Sequence, residues 1–250
     1  MLLHYTSNGF LIMLPHNDPH RIVDVMLETG YDKEFCVSLD FEPDFIAQLM
    51  KSGFLVMSSW LDDSDDDSSS HEGASPAGNG GQFILFPKLH LTRTVLFFDD
   101  LHIKKSIKRH LGRFELCFDS DFDRIIDRCI EIHGDCWLTP PLVAAIRDIR
   151  RHNLHGVYPA SFALYQRQGH RKKLVAGEFG VIAGKVYTSY SGYYDESNAG
   201  TVQLILTTRY LQEHGFAFFD LGMPLDYKTD LGAQNVSPQE FVDLFRAAQH

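Results

Sequence analysis

Twelve residues near the middle of the chain, HIKKSIKRHLGR at positions 102–113, carry five basic side chains and no acidic one. At helical spacing Lys104 lies one turn before Lys108, and Lys105 one turn before Arg109, so a helix here would present a cationic face. Such a face fits a phosphate backbone, because each phosphate that is neutralised releases counterions. The alternative is a solvated helix face. Because this basic segment stands out against an otherwise acidic chain, we favour a nucleic acid as its partner.

A carboxylate follows an apolar stretch near the C-terminal end of the sequence. Asp220 comes directly after the residues FAFF at positions 216–219. A carboxylate at the end of a strand is well placed to line a cleft, where burial can shift its pKa. A turn or cap residue is the alternative interpretation. Asp220 is therefore a candidate catalytic group.

Metal and nucleotide sites are only weakly indicated. Cys129, His133 and Cys136 are possible metal ligands, but no Cys-x-x-Cys pair and no evident fourth ligand accompany them. The sequence has no Gly-x-Ser-x-Gly elbow, no Walker-type loop and no Gly-x-Gly-x-x-Gly. We therefore expect neither a metal nor a bound cofactor.

The composition is that of a globular protein. The 250 residues are 44% hydrophobic and 22% charged, which excludes a mostly disordered, collagenous or coiled-coil chain. No apolar run approaches the roughly 18 residues of a membrane-spanning helix, so no membrane partner is expected. Four irregularly spaced cysteines favour reduced thiols and a cytoplasmic location. The net charge of −10 argues against a general nucleic-acid binder.

One segment divides the chain. Residues 61–82 read LDDSDDDSSSHEGASPAGNGGQ and contain six acids, no Lys or Arg, and few apolar residues. Such a stretch buries too little surface to offset its ordering entropy, so we predict a disordered loop. An Asp-rich calcium site is the alternative, but the spacing is not that of an EF-hand. The prediction is a small N-terminal domain (1–60) and a larger C-terminal domain (83–250).

Cap and turn residues define the elements that must position these groups. Strands rich in aromatic and β-branched residues lie between the helices, so we predict a mixed α/β or α+β layer fold. Helices are predicted over 19–29, 43–51, 120–132 and 139–153, with another that Asn198 caps and that runs to 214, and a last helix from the capping box at 237–240. Strands are predicted over 114–118, 161–166, 173–182, 185–191 and 217–221.

Several short segments together resemble a known family. They are LHIKKSIKR at 101–109, WLT at 137–139, LVAGEFG at 174–180, Asn198-Ala199, and Asp220, Asp226 and LGA within 220–233. In this order they are similar to the motifs of leucyl/phenylalanyl-tRNA–protein transferases. The resemblance covers about residues 101–250, whereas residues 1–60 align poorly.

The resemblance implies a fold, an activity and a set of contacts. It implies a GNAT-like C-terminal domain that transfers Leu or Phe from aminoacyl-tRNA to a protein N-terminus, in the N-degron pathway. It also implies that Trp137 stacks on the terminal adenosine of the tRNA. The residues predicted to hold tRNA phosphates are Lys104, Lys105, Lys108 and Arg109. The residues predicted to bind substrate are Trp137, Glu178, Phe179, Tyr187, Tyr190 and Asn198.

The departures from the family pattern concern the same region. The Gln expected two residues after Asp220 is Gly222, and a family Glu is missing near 189–191. Glu178 stands where the family has an apolar residue lining its amino-acid pocket. An unpaired charge in such a pocket is costly. Either Glu178 points elsewhere, or the pocket accepts a polar or cationic group.

Three hypotheses follow. The first is aminoacyl transfer by a monomer, in which Asp220 orients or deprotonates the attacking amine, with Leu, Phe or another amino acid as the donor. The second is a module that binds tRNA or peptide without turnover. The third is a GNAT-like acyltransferase that uses coenzyme A, against which the absence of a pyrophosphate loop argues.

Overall fold

The computed structural model describes residues 3–62, 81–168 and 171–249. The chain divides into two compact units. Unit 1 comprises Met1–Leu91 and His133–Val157, and unit 2 comprises Thr92–Ile132 and Tyr158–His250. Residues 83–91 and 133–157, which the sequence analysis assigns to the C-terminal domain, therefore group with unit 1.

Helices and strands are mixed along the chain, as the sequence predicts for an α+β fold. The helices are α1 (Pro19–Thr29), α2 (Pro43–Lys51), α3 (Lys105–Lys108), α4 (Phe122–His133), α5 (Pro140–His152), α6 (Ala199–Glu213), α7 (Asp226–Thr229) and α8 (Pro238–Ala247). The strands are β1 (His4–Tyr5), β2 (Leu11–Ile12), β3 (Leu55–Asp62), β4 (Gly81–Lys88), β5 (Arg93–Leu96), β6 (Phe114–Phe118), β7 (Val157–Gln168), β8 (Arg171–Ala183), β9 (Val186–Tyr194), β10 (Phe218–Gly222) and β11 (Gln234–Val236).

In unit 1, local caps and one long strand pair set the elements. Asp18 caps α1 by accepting a hydrogen bond from the backbone N–H of His20 (3.0 Å). Strands β3 and β4 pair antiparallel over their full length. Both ends of the predicted disordered loop, 61–62 and 81–82, therefore lie in strands, because their backbone groups pair across the ladder. The rest of that predicted loop lies outside the described residues.

Unit 2 contains a seven-stranded sheet in the order β11-β5-β10-β9-β8-β7-β6. Strand β10 lies between β5 and β9 in the interior of the sheet, antiparallel to β5 and parallel to β9. Strands β8 and β9 are antiparallel. Helix α6 contacts β8, β9 and β10, and the buried side chains of Phe162, Leu211 and Phe219 belong to one core cluster. This arrangement brings residues from four strands of the sheet to one buried region.

Most of the predicted elements are present. Helices α2, α5 and α8 begin at the prolines that the cap signals indicate, and the hydroxyl of Ser237 accepts from the N–H of Glu240 (3.3 Å). The predicted strands correspond to β6–β10. The predicted start of one helix shifts, because α4 begins at Phe122. Helix α6 begins at Ala199, directly after Asn198 as predicted, but the backbone of Asn198 is left-handed (φ 68°) and its side chain does not cap the helix.

Candidate functional site

Asp220 lies on β10 and is fully buried. Its carboxylate accepts two charge-assisted hydrogen bonds from Arg93 on β5, Nε to Oδ1 at 2.8 Å and Nη2 to Oδ2 at 2.6 Å. The hydroxyl of Thr188 donates to Oδ2 (2.8 Å), and the backbone N–H of Gly222 donates to Oδ1 (3.0 Å). Both oxygens of the predicted catalytic residue are thus committed to partners inside the protein.

Arg93 is a site residue that the sequence analysis does not identify. It is 1% exposed, and its guanidinium also lies over the ring of Phe241, 4.5 Å from the centroid. Its position before the apolar strand residues Val95 and Leu96 is the only local signal. The pairing with Asp220 spans 127 positions of sequence, so no local pattern could reveal it.

Glu178, on β8, does point into the protein and is 5% exposed. The hydroxyl of Ser189 on β9 donates to its Oε2 at 3.0 Å. Burial raises the pKa of Glu178 to about 7, because the charged form loses its hydration. The side chain of Glu178 is therefore not turned to the surface, and acceptance of a polar or cationic group by the pocket stays a prediction. Its neighbour Phe179 is also buried, and its ring contacts the rings of Phe122 and Tyr190.

Tyr187 and Asn198 have different surroundings. Tyr187 is fully buried, and burial, together with the nearby carboxyl of Glu178, raises the pKa of the phenol well above its ordinary value. Tyr190 is half-buried. Asn198 is exposed, and its side chain donates to the hydroxyl of Ser197 (3.4 Å). The structure thus brings Tyr187 to Glu178 and leaves Asn198 at the surface.

Lys228, on α7, is a second buried cation that the sequence analysis does not identify. Its ammonium donates to the backbone carbonyls of Leu221 (2.6 Å) and Met223 (2.8 Å). Burial lowers its pKa to about 8, and the charges of Asp220 and Glu178 oppose that shift. Lys228 therefore couples electrostatically to both buried carboxylates.

The basic segment 102–113 is not the continuous helix that its spacing predicts. The helix α3 covers one turn, and a 3₁₀ turn follows at Leu111–Arg113. Lys104 precedes α3 and Arg109 follows it, so the predicted i,i+4 face is not formed. Lys104 instead pairs with Asp230 (2.6 Å). All four predicted phosphate-binding side chains, Lys104, Lys105, Lys108 and Arg109, are exposed.

Tertiary contacts explain why this segment departs from a helix. The N–H of His102 donates to the carbonyl of Leu231 (2.9 Å). At Gly232 a Cβ atom would lie 1.9 Å from the carbonyl oxygen of Asp100, so only glycine permits this approach. The LGA sequence thus anchors the start of the basic segment.

Trp137 belongs to unit 1. It is half-buried, and its carbonyl accepts a hydrogen bond from the N–H of Ser58 on β3 (2.9 Å). The other predicted site residues belong to unit 2. The stacking role predicted for Trp137 stays a prediction.

Within the described ranges, no group of three His, Cys, Asp or Glu side chains is arranged to hold a metal ion. All four cysteines are free, and Cys129 is buried whereas Cys136 is exposed. Among the helices of residues 3–62, 81–168 and 171–249, none has the length and apolar character needed to cross a membrane.

A protein-family model described as leucyl/phenylalanyl-tRNA protein transferase matches residues 95–246. The chain belongs to this family. The match begins inside β5 and ends inside α8, so it includes Glu178, Asp220 and the basic segment 102–113. The family resemblance predicted from the sequence is confirmed.

Several similar proteins are named leucyl/phenylalanyl-tRNA–protein transferase. One, from Pseudomonas putida (strain W619), is 31% identical over 157 residues, which are 60% of this chain and 66% of that protein. Another, from Pseudomonas aeruginosa (strain LESB58), is 31% identical over 159 residues, covering 62% and 67%. This member of the transferase family thus spans about two thirds of the relatives it matches. A structure of L-PGS from Bacillus licheniformis aligns with 99% of this chain and 89% of that one at 11% identity, with a TM-score of 0.41.

Proposed function

We propose that the chain is an aminoacyltransferase that moves an amino acid from aminoacyl-tRNA to the N-terminus of a protein. The observation that carries this proposal is the family match over residues 95–246, together with the names of the similar proteins. The proposal includes a role in the N-degron pathway, a cytoplasmic location and a monomeric enzyme. Its donor is Leu, Phe or, given Glu178, another amino acid.

The chemistry is a simple acyl transfer. The nitrogen of a neutral α-amine attacks the carbonyl carbon of the aminoacyl ester, an amide bond forms, and the ester C–O bond breaks. The amine gives up one proton, and the terminal hydroxyl of the tRNA leaves with one proton. Such a reaction needs two substrates held in line, an amine without its extra proton, and donors for the developing oxyanion.

In this proposal the exposed basic segment contacts the phosphates near the acceptor end of the tRNA. The exposure of Lys105, Lys108 and Arg109 supports this role, because their charges are available to a large polyanion. Trp137 stacks on the terminal adenosine, a contact worth roughly 1–3 kcal/mol for one base.

The role of Asp220 changes in this proposal. Because Arg93, Thr188 and Gly222 already donate to its two oxygens, Asp220 is a positioning residue that fixes the end of β10. Deprotonation of the amine then falls to another group. The role of Asp220 as the base, predicted from the sequence, remains a prediction that the assay below can test.

The test is a transfer assay with purified full-length protein, total tRNA, synthetases, each labelled amino acid in turn, and peptides with different N-termini. Labelled peptide is expected with at least one amino acid. Asp220→Asn then measures how far transfer depends on this carboxylate. No labelled peptide with any amino acid would contradict the proposal.

The same assay needs a control for tRNA binding. The double variant Lys105→Glu/Lys108→Glu is expected to weaken tRNA retention at low salt at least tenfold, because two cations become anions. The matched control Lys172→Glu/Lys173→Glu makes the same charge change at exposed positions of β8 and is expected to retain tRNA.

A module that binds tRNA without turnover is the second candidate. It is favoured by the complete pairing of Asp220 and by the absence of the family's Gln at Gly222. Retention of tRNA with no labelled peptide would select it over the transferase.

A further inference from the structure

The two oxygens of Glu178 have different surroundings. Oε2 accepts the hydrogen bond from Ser189, whereas Oε1 is buried and has no hydrogen-bond partner among the described residues. Buried polar atoms in folded proteins nearly always have a partner. An acceptor buried without one is costly and is a frequent mark of a ligand site.

A second buried polar atom faces the same place. The hydroxyl of Tyr187 also lacks a partner of full hydrogen-bond geometry within the residues the structure describes. It lies close enough to Glu178 to act as a weak donor, which partly offsets the rise that burial causes in the pKa of that carboxyl. The ring of Tyr187 lies across β8 at Gly180, where a Cβ atom would stand 2.7 Å from Cζ and 2.8 Å from the hydroxyl oxygen. The glycine is therefore what permits the phenol to lie beside Glu178.

The charges around Glu178 leave this acceptor without a direct cationic partner in the described ranges. The titratable groups that interact with it are Lys228, Tyr187, Cys129 and Tyr227. The ammonium of Lys228 already donates to two backbone carbonyls. Burial raises the pKa of the Cys129 thiol to about 12, so this group stays a neutral thiol and supplies no cation. The partner that Oε1 of Glu178 lacks is therefore a hydrogen-bond donor. A cationic donor would complete the hydrogen bonding of Oε1 and also balance the charge of the carboxylate.

Exposed apolar side chains lie on the same part of unit 2. Tyr194 on β9 pairs with Ala176, two residues before Glu178 on β8, and Tyr227 interacts electrostatically with both Glu178 and Tyr194. Tyr194 is 66% exposed and Tyr227 52%. Opposite Glu178 on β9 stands the exposed Gly192, which places no side chain over the carboxylate. A ligand with an apolar part and a donor tip would match this surface.

We infer that Glu178 Oε1 and the Tyr187 hydroxyl form a binding site for a primary amine. An ammonium group offers three donors and a positive charge, and a charge-assisted bond to a carboxylate is about twice as strong as a neutral one. The amine comes from one of three sources: the α-amine of the aminoacyl ester, the α-amine of the acceptor peptide, or a cationic donor side chain. Assigning the amine to a substrate rests on the proposed function, whereas binding of an amine does not.

The test follows the Glu178 carboxyl carbon by NMR in full-length protein labelled at the glutamate side-chain carboxyls. Glu178→Gln identifies the resonance by its loss. Four probes are titrated separately: leucine methyl ester, its analogue without the amine, Nα-acetyl-lysine methyl ester, and dialanine amide. They represent the ester amine, no amine, a cationic side chain and an acceptor amine.

At least one amine is expected to lower the titration midpoint of Glu178 by about one pH unit or more, since a cation at contact distance favours the carboxylate. The amine that does so names the source. The analogue without the amine is expected to leave the midpoint unchanged. Equal shifts with and without the amine, or no shift with any amine, would overturn the inference and leave water as the partner of Oε1.

Tyr187→Phe separates a binding role from a merely structural one. This variant keeps the ring that packs on Gly180 and removes only the hydroxyl. It is expected to weaken binding of the effective amine at least fivefold, and the analogue without the amine is still expected not to bind. Unchanged binding of the amine would contradict the role of Tyr187. If an amine binds but the transfer assay yields no labelled peptide, the amine site is supported and only the transferase proposal is contradicted.

Discussion

Unit 2 contains two buried carboxylates on nearby strands, and they are treated in opposite ways. Asp220 receives four donated hydrogen bonds, two of them from a guanidinium. Glu178 receives one, from Ser189, and its second oxygen has no partner in the described part of the chain. A fully paired buried carboxylate is costly to remove, whereas one kept half-paired lowers stability and is retained for another reason. This difference gives Asp220 a structural role in the sheet and Glu178 a role in binding a ligand.

The largest expected effect comes from removing the paired carboxylate. Asp220→Ala leaves the guanidinium of Arg93 buried without its counter-charge, which typically costs about 3–5 kcal/mol. Chemical denaturation should show this loss in the free energy of unfolding. The double variant Arg93→Met/Asp220→Leu is the control, because it removes both charges and is expected to recover part of the loss. A loss below about 1 kcal/mol for Asp220→Ala would contradict the view that Asp220 is the strongly paired carboxylate of the two.

The half-paired carboxylate predicts a dependence of stability on pH. Because burial raises the pKa of Glu178 from 4.5 to about 7, the folded state holds a proton there that the unfolded state has released. The free energy of unfolding should therefore fall as the pH rises from 4.5 to 7, by up to about 3 kcal/mol. Lys228, with its pKa lowered to about 8, adds a rise in stability above pH 8. Glu178→Gln should abolish the fall, and Glu213→Gln at the exposed end of α6 should not.

A smaller effect is expected at the glycine beside Glu178. In Gly180→Ala the added Cβ would lie 2.2 Å from the carbonyl oxygen of Thr188 and against the Tyr187 phenol. Overpacking of this kind costs about 1–3 kcal/mol and would move the phenol away from Glu178. Gly112→Ala is the matched control, since a Cβ there meets nothing within 4 Å. Thermal unfolding of both variants measures the difference, and equal midpoints would show that Tyr187 is not held against Gly180.

The smallest effect is expected for a third carboxylate, at the surface. Asp230 pairs with Lys104 at 2.6 Å, but both side chains are more than half exposed. Solvent and salt screen such a pair, so Asp230→Asn should change the free energy of unfolding by less than about 1 kcal/mol. A cost as large as that of Asp220→Ala would show that the pairing distance alone, rather than burial, decides the strength of these ion pairs.

The sequence predicts well those features that depend on residues adjacent in the chain. Asp18-Pro19 with Gly30 and the Ser237–Glu240 box set helix ends that the structure reproduces. The short motifs of the family also lie in contiguous segments, so their order is readable without coordinates. Glu178 could be recognised as an unusual residue because it stands in an otherwise apolar strand, VAGEFGV.

What the sequence does not predict depends on distant partners. The Arg93–Asp220 pair joins residues 127 positions apart, and only the assembled sheet shows that Asp220 is already occupied. The spacing of the basic segment predicts a long helix, but its contacts with Asp230 and Leu231 hold it to one turn. The pairing of β3 with β4 likewise bridges a stretch whose composition alone indicates disorder.

The most direct test of the contrast is the sign of the stability change in two isosteric variants at pH 8. Asp220→Asn and Glu178→Gln each replace a buried carboxylate by an amide of the same shape, and chemical denaturation of both gives the change in the free energy of unfolding. The account predicts that Asp220→Asn destabilises the protein, whereas Glu178→Gln stabilises it by about 1–3 kcal/mol, because the second change removes a buried charge that lacks a direct cationic partner among the described residues. Destabilisation by both variants would contradict it.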